Sequence, residues 1–475
     1  PIPLWECENC GEVVVAKKEQ CYVDPTIDPP PVEKCPKCGG KLKGCEDVFD
    51  TWMDSSISPL YNTFWMRDDE KFKKLYPMSL RPQAHDIIRT WAFYTILRCT
   101  LLTDKEPFEN IMMGGFILSE DGTPMHASLG NVIDPLEVID EFSTDAFRCY
   151  AASCSLGEDN PFRKKDVIRG TRLLRKLWNV ERFISQFLPE DAPKKPSSLR
   201  TMDRWILSRY SRVVQKCTDF MENFEFSLAL KEIEYFLWHE FADHYIEMAK
   251  SFIYERKEME SILYTLYTIG LGLTKMFAPF FPHITEEIYH QYYKVKVNKE
   301  SIHITEWPEV EFIDDDAEQV GETIKEIIAA IRKWKGEKGI ALNSSIEKVE
   351  IFTEHPEVIK EGKEDISVTM NIKALDISDN FSEIKEEAID VKPIYASIGK
   401  KYREKTAEIV RTLKQAEPND IYLKIKEKGE FEILKGIAVT KDDLTFDIAY
   451  SIHGKKVEVL SVGRDVIAIF GSDIA

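Results

Sequence analysis

The spacing of polar and apolar positions changes along this chain, and the changes divide it. From Ser198 to about Trp307 apolar residues recur at helical spacing through long amphipathic stretches. That pattern predicts a helical bundle with Trp205, Phe236, Trp238, Phe241, Tyr245, Phe277 and Phe280 in its core, base-stacking platforms being the other use such aromatics serve. Upstream, His85 to Leu102 carries apolar side chains on nearly every face, which predicts a helix buried on several sides, as in a layered α/β domain. The stretch GGFILSEDGTPMHASLGNVIDP, Gly114 to Pro135, reads as a strand, a tight Asp-Gly turn and a polar loop closed by a turn-breaking Asp-Pro, hence a mobile loop between two anchored elements. After the acidic run Asp314-Asp315-Asp316, a helix is expected from Ala317 to Lys335. Alternating segments at 349–352, 431–434, 444–450 and 466–470, with a helix near Lys400 to Lys414, then predict a small α+β domain.

Length and composition add limits. A chain of 475 residues is too long for one compact core and implies roughly three or four domains. With 43% hydrophobic and 31% charged residues, and no uncharged apolar run of membrane-spanning length, neither a membrane span nor a signal pattern is expected, and the protein reads as cytoplasmic. The net charge of −19 excludes a surface coated in basic residues and makes DNA an unexpected partner, while leaving room for a local basic stripe. The first residue is Pro1 rather than Met, which suggests a fragment or the carboxyl part of something larger.

Six of the ten cysteines lie in the first 45 residues. Cys7-Glu-Asn-Cys10-Gly and Cys35-Pro-Lys-Cys38-Gly-Gly are two CxxC turns whose glycines let backbone N–H groups face sulfur. Four thiolates so spaced suit a structural Zn2+ with no open coordination position, redox or incidental thiols being the alternative. A metal would organise a segment whose Pro25–Pro31 stretch builds no core by itself. Cys21 and Cys45 have no partner motif.

Two polar features bear on ligands. Gln83, His85 and Asp86 precede the apolar helix, where free N–H groups favour anionic or hydroxylated ligands, although an ordinary capped helix has the same pattern. Residues Arg163 to Lys176 contain seven basic residues and one acid, and Lys165, Arg169, Arg172 and Lys176 recur at helical spacing. This stripe suits a phosphate backbone, or is simply a solvated face. Gly399 to Lys405 offers a weaker RNA contact or a solvated helix start.

Read in order, these segments resemble the class I aminoacyl-tRNA synthetases, and within them the valyl-tRNA synthetase branch of archaeal or eukaryotic-like type. The resemblance rests on Asp50-Thr-Trp-Met-Asp-Ser-Ser, Gln83-Ala-His-Asp-Ile-Ile-Arg-Thr-Trp and Ser128-Leu-Gly-Asn-Val, and continues through Ala278 to Tyr289, Ser301 to Pro308 and Ile331 to Asn343. It is strong to about residue 345 and loose beyond. It implies a multidomain fold, mostly α with α/β: a four-cysteine zinc knuckle at 1–46; the second half of a Rossmann-type catalytic domain with its signature loop at 47–155; a stem-contact and helical anticodon-binding domain at 156–310; and a linking helix with a C-terminal α+β domain at 311–475. The implied activity is valine activation with ATP and Mg2+, then transfer to a valine tRNA. Trp52, Ile87 and Trp91 fall on valine-pocket positions, an apolar slot suited to a small branched side chain, ordinary core tryptophans being the other reading. Gln83, Ala84, His85 and Asp86 fall on the part that borders the amino acid and adenosine.

The same resemblance exposes departures. The signature loop normally holds two lysines that stabilise charge on the ATP phosphates. Pro124, Met125, His126, Ala127 and Ser128 stand there instead, with Pro124 and Ala127 in the lysine places, and neutral side chains cannot supply that stabilisation. Pro124 also stiffens the loop, and Ala84 replaces a glycine that gives a nucleotide access to the backbone. The family's HIGH-type motif, first half-sheet and editing domain have no counterpart in this sequence. The expectation is therefore the carboxyl-terminal portion of a valine-tRNA ligase, inactive alone and completed by a missing or separate amino-terminal half. The alternative is a ligase-inactive, tRNA-binding paralogue. A zinc-knuckle protein unrelated to synthetases does not account for the order of the matched motifs.

Overall fold

The computed structural model describes residues 1–471. The chain forms two units, Pro1–Glu141 with Ser153–Val167, and Phe142–Ala152 with Ile168–Ala475.

In the first unit, strands β1 (Leu4–Cys7), β2 (Val13–Val15) and β3 (Leu42–Gly44) form a small antiparallel sheet in the order β2-β1-β3. Next, Asp50 caps the helix Thr51–Ser55 by accepting from Met53 N at 3.0 Å. Strands β4 (Met78–Ala84) and β5 (Phe108–Gly114) run parallel, joined by a wide turn at Ile88–Ala92 and the helix Phe93–Thr103. This strand-helix-strand unit is the building block of a doubly wound layer. Trp91, Ala92 and Phe108 form its core with Met78 and Ile87 against them, and Leu60, Tyr76 and Cys99 form a second cluster.

The expected burial of the 85–102 segment on several sides is corrected here. Only Trp91, Ala92, Thr95 and Cys99 are buried, while Ile88, Phe93, Ile96, Leu97, Leu101 and Leu102 are exposed. A two-stranded parallel sheet offers one surface to pack against, so the remaining apolar faces find no second layer within the unit. Within the Gly114–Pro135 stretch the expected strand and Asp-Gly turn are present. Strand β6 (Ile117–Leu118) pairs in parallel with β7 (Asn160–Pro161), and Leu118 bridges Pro124 across the Asp121-Gly122 turn.

The second unit begins in short helix Thr144–Ser153 and continues through the helices Thr201–Glu222, Phe226–Tyr235, Ile246–Glu255 and Met259–Phe277. The stretch Phe236–Tyr245 joins two of these in a widened helical turn. Trp205, Phe236, Phe241, Tyr245, Phe277 and Phe280 are buried as expected, and Trp238 is only partly covered. The helix Asp315–Glu337, capped by Asp314, extends the expected one by a few residues.

Eight strands follow: β8 (Ile346–Phe352), β9 (Ile372–Ser378), β10 (Ile384–Pro393), β11 (Glu430–Leu434), β12 (Ile437–Thr440), β13 (Leu444–Ile452), β14 (Lys455–Val462) and β15 (Asp465–Phe470). Six of them make one sheet, ordered β10-β13-β14-β15-β8-β9, while β11 and β12 form a separate hairpin. The single helix expected near 400–414 is two, Tyr395–Tyr402 and Thr406–Leu413, broken at Arg403, whose φ of 38° leaves the helical region. Gly399 to Lys405 is thus a helix end and a break rather than a helix start, and Lys401 is paired with Asp443 at 2.7 Å.

Candidate functional site

The thiols of Cys7, Cys10, Cys35 and Cys38 come together, every ligand atom within 4.8 Å of the others, with Cys7 to Cys38 at 3.4 Å and Cys10 to Cys35 at 3.6 Å. A tetrahedron of Zn–S bonds of about 2.3 Å has edges of about 3.8 Å, so the four sulfurs are clustered at the spacing a Zn2+ site needs. Burial opposes ionisation of Cys7, yet N–H groups of Asn9 and Cys10 outweigh it and bring this thiol down to about 7. The Glu12 N–H favours the Cys10 thiolate, but neighbouring thiols and burial push Cys10 up to about 12. One thiolate forms readily and the next resists, which a cation at the centre would reverse. Gly40 is required by space, since a Cβ there would stand 2.9 Å from Cys7 Sγ and 2.8 Å from the Asn9 amide.

The carboxyl ends of β4 and β5, where open α/β sheets bind ligands, gather Gln83, Ala84 and His85. Ala84 lies opposite Gly114 in the register. His85 Nε2 is 3.1 Å from Asp159 Oδ1, and its ring stands edge-on to Phe116 at 5.0 Å. Phe116 N donates to the same Asp159 oxygen at 2.8 Å, and these contacts hold the Asp159 carboxyl below its ordinary value. Gln83 is buried, and neither atom of its amide has a hydrogen-bond partner among the described residues. Such an orphaned amide is expensive unless something else meets it.

Of the residues expected in the valine pocket, Ile87 packs against the cluster holding Trp91. Trp91 itself is buried between Phe108, at 5.9 Å, and the Arg81 guanidinium, 3.8 Å from its ring centroid. Trp52 is 40% exposed, on a helix packed against the Ile88–Ala92 turn. Asp86 is exposed. Asp159 and Phe116 were not among the expected residues. The available signal was Gly115: a Cβ there would sit 1.9 Å from the Glu158 carbonyl, so a glycine is what lets the 158–159 backbone approach β5.

In the signature-loop region, Asp121 Oδ1 accepts from Ser119 Oγ, Thr123 Oγ1 and Thr123 N, contacts that hold it down to about 2. Asn131 donates to the Pro124 carbonyl at 3.0 Å and accepts from His126 N at 2.8 Å, pinning both ends of the turn. Pro124, His126, Ala127 and Ser128 are exposed and Met125 half-buried. Beside them lies a cavity of about 450 Å³ lined by Glu120, Asp121, Asp134, Glu137 and Glu141. The cation lining it is Lys164, which pairs with Glu141 at 2.7 Å. A cleft of this sign repels phosphate.

The basic stripe lies on the helix Lys164–Ser185. Arg169 pairs with Glu234 at 3.4 Å and Lys176 with Asp243 at 3.0 Å, so two of the four expected cations serve internal contacts. Lys165 and Arg172 are exposed, with no ion-pair partner among the described residues, as are Arg175 and Arg182. Helical spacing puts Arg172, Arg175 and Arg182 opposite buried Leu173, Leu177 and Ile184. The outward basic face therefore turns from 169 and 176 toward 175 and 182.

The chain is 40% identical to the valine--tRNA ligase of Pyrococcus furiosus over 99% of its own length and 54% of that protein, and 41% identical to that of Methanothermobacter thermautotrophicus over 99% and 53%. The chain is a homologue of the valine--tRNA ligases. Residues 1–163 match the family of class I tRNA synthetases (I, L, M and V), and 203–351 match the anticodon-binding domain of tRNA ligase. The chain spans about half the length of these relatives. A LeuRS of Agrobacterium radiobacter K84, solved as a ternary complex with tRNA and LeuAMS, superposes on 67% of the chain and 41% of its own with a TM-score of 0.52 at 22% identity, a likeness of fold. Mixed helix and sheet, a synthetase catalytic portion, a helical anticodon-binding domain and a cluster of four cysteines match the expected fold class. No helix among the described residues is long and apolar enough to cross a membrane.

Proposed function

We propose that this chain supplies the carboxyl-terminal half of a cytoplasmic valine-tRNA ligase: part of the valine and adenylate site and the surface that holds the valine tRNA. The observation that carries this reading is the unpaired, buried Gln83 amide at the strand ends, beside His85 and Asp159, in a chain homologous to these ligases along nearly all its length. In this reading Gln83 and His85 orient polar groups of a bound aminoacyl-adenylate, and Ile87 and Trp91 form the apolar wall beside its side chain. Zn2+ held by Cys7, Cys10, Cys35 and Cys38 braces the knuckle, while Lys165, Arg172, Arg175 and Arg182 meet tRNA phosphates.

Alone, the chain is inactive. Pro124 and Ala127 carry no charge to offset that developing on ATP phosphates, the neighbouring cleft is acidic, and the remaining half of the relatives' length belongs to the working enzyme. The first two observations favour the second reading, a tRNA-binding paralogue without ligase activity. Valine-dependent ATP–pyrophosphate exchange distinguishes the two when the amino-terminal half of a homologous ligase is supplied in trans. Restored exchange that is lost in Gln83→Ala supports the enzyme half. Absence of exchange from a complex that assembles and binds valine tRNA selects the paralogue, and failure to bind tRNA at all overturns both.

A further inference from the structure

The six-stranded sheet holds a group of ligating side chains that the ligase reading does not use. Glu350 lies on β8 between Ala468 of β15 and Asp376 of β9. It is 7% exposed, and among the described residues its Oε2 has no hydrogen-bond partner. On that face of the sheet its neighbours are mixed: Ala468 and Phe352 belong to an apolar cluster, while Lys348 and Asp376 are charged. Lys348 Nζ forms an ion pair with this oxygen at 3.7 Å, beyond hydrogen-bond range, and is held more closely by Asp376, at 2.9 Å. A buried carboxylate left in this state calls for a donor or a cation.

Two further ligands face it. Glu383 ends the short turn Phe381–Glu383 that leads into β10, and His453 occupies the turn between β13 and β14. The pairing of Ile384 with Ile452 makes Glu383 and His453 neighbours, with His453 Nε2 at 3.5 Å from Glu383 Oε2. One ligand atom from each of Glu350, Glu383 and His453 lies within 4.8 Å of the other two. In a flat sheet, β8 and β13 are separated by β14 and β15, a span of about 14 Å. The three groups meet because the sheet curls, so their convergence is a property of the tertiary fold and not of local spacing. The His453 side chain is 64% exposed, that of Glu383 28% and that of Glu350 9%, which grades the cluster from solvent to core.

We propose that Glu350, Glu383 and His453 form a divalent-cation site in the C-terminal domain, separate in place and in chemistry from the thiol knuckle. Two carboxylates and one imidazole suit cations of the Zn2+, Co2+ and Mn2+ type. The 3.5 Å separation of nitrogen and oxygen is close to the edge of about 3.4 Å in a tetrahedron with bonds of about 2.0 to 2.1 Å. Three protein ligands leave an outer position for water. A bound cation would neutralise the buried Glu350 and fasten the β13–β14 turn to β8, closing one end of the curled sheet.

The test is a Co2+ titration of the protein with its thiol site already filled by zinc. Wild type is expected to bind one Co2+ with the weak visible absorption of nitrogen and oxygen ligation, and to gain thermal stability. Glu350→Gln, nearly isosteric, and His453→Gln, at an exposed position that leaves packing alone, should each weaken Co2+ by at least about tenfold and abolish the stabilisation. Circular dichroism checks that both variants remain folded. Equal Co2+ affinity in wild type and His453→Gln would overturn the site. So would uptake seen only through the intense sulfur-to-cobalt band, which would place the metal in the knuckle and leave His453 as a simple ion-pair partner of Glu383.

Discussion

The helices Phe93–Thr103 and Thr201–Glu222 are both rich in apolar residues, yet they meet different fates. The first buries two of its eleven residues, Thr95 and Cys99. The second buries eleven of 22, including Trp205 and Tyr210, and even its Asp203 is satisfied, accepting from Tyr245 OH at 2.8 Å and from Ser261. The difference lies in what surrounds each helix. The bundle encloses 201–222 with helices on several sides, whereas the first unit gives 93–103 a two-stranded sheet and a few short helices. Apolar content measures the capacity to be buried, and the partners decide how much of that capacity is used.

The sharpest way to break the comparison is a pair of truncations. Phe241→Ala, at a fully buried ring stacked 5.7 Å from Tyr245, is expected to cost about 3 to 5 kcal/mol. Leu101→Ser, at a residue 74% exposed, should change stability by no more than about 0.5 kcal/mol. Both are read from the denaturant midpoint of the transition for the altered unit. A Leu101→Ser loss as large as that of Phe241→Ala would mean that the exposed helix face is covered in solution.

Buried charge sharpens it next. Glu181, fully buried in the bundle, is pushed up to about 7 by desolvation, partly offset by hydrogen bonds from Tyr293 OH at 2.6 Å and Thr274 Oγ1 at 3.2 Å. The folded state therefore holds a proton that the unfolded chain releases near its ordinary value. This contribution to stability is fully present below pH of about 4.5 and is lost as pH rises toward 7, an amount of about 3 kcal/mol. Glu181→Gln should remove that loss, so the variant gains on wild type between about pH 5 and 8, as measured by urea unfolding across the range. Equal pH slopes for the two proteins would show that Glu181 titrates normally.

The smallest effects concern the basic helix. Arg172→Ala and Arg175→Ala, at positions with no ion-pair partner among the described residues, should each flatten the log-log salt dependence of tRNA binding by roughly 0.7 to 0.9, similarly for valine and other tRNAs. Arg169→Ala and Lys176→Ala break pairs with Glu234 and Asp243 and should alter the salt slope little. Filter binding at several salt concentrations separates the two pairs. A slope change confined to 169 and 176 would return the phosphate-facing role to the paired side.

The sequence alone was enough for whatever depends on short-range spacing or on one residue's chemistry. Paired CxxC turns specify four thiolates, because a turn of that length brings two sulfurs onto one centre. Long amphipathic repeats specify a bundle with Trp205, Phe241 and Tyr245 inside, because a buried face must recur at the helical period. The lysine-free loop at Pro124 to Ala127 is equally plain, since no fold gives Pro124 or Ala127, which stand in the lysine places, a charge. Only the tertiary structure decided which residues meet across long separations. Glu234 and Asp243 claim Arg169 and Lys176, Asp159 crosses 74 residues to reach His85, and Glu350 meets His453 through a curled sheet. These outcomes depend on how separate elements dock and bend, and neither periodicity nor composition contains that information.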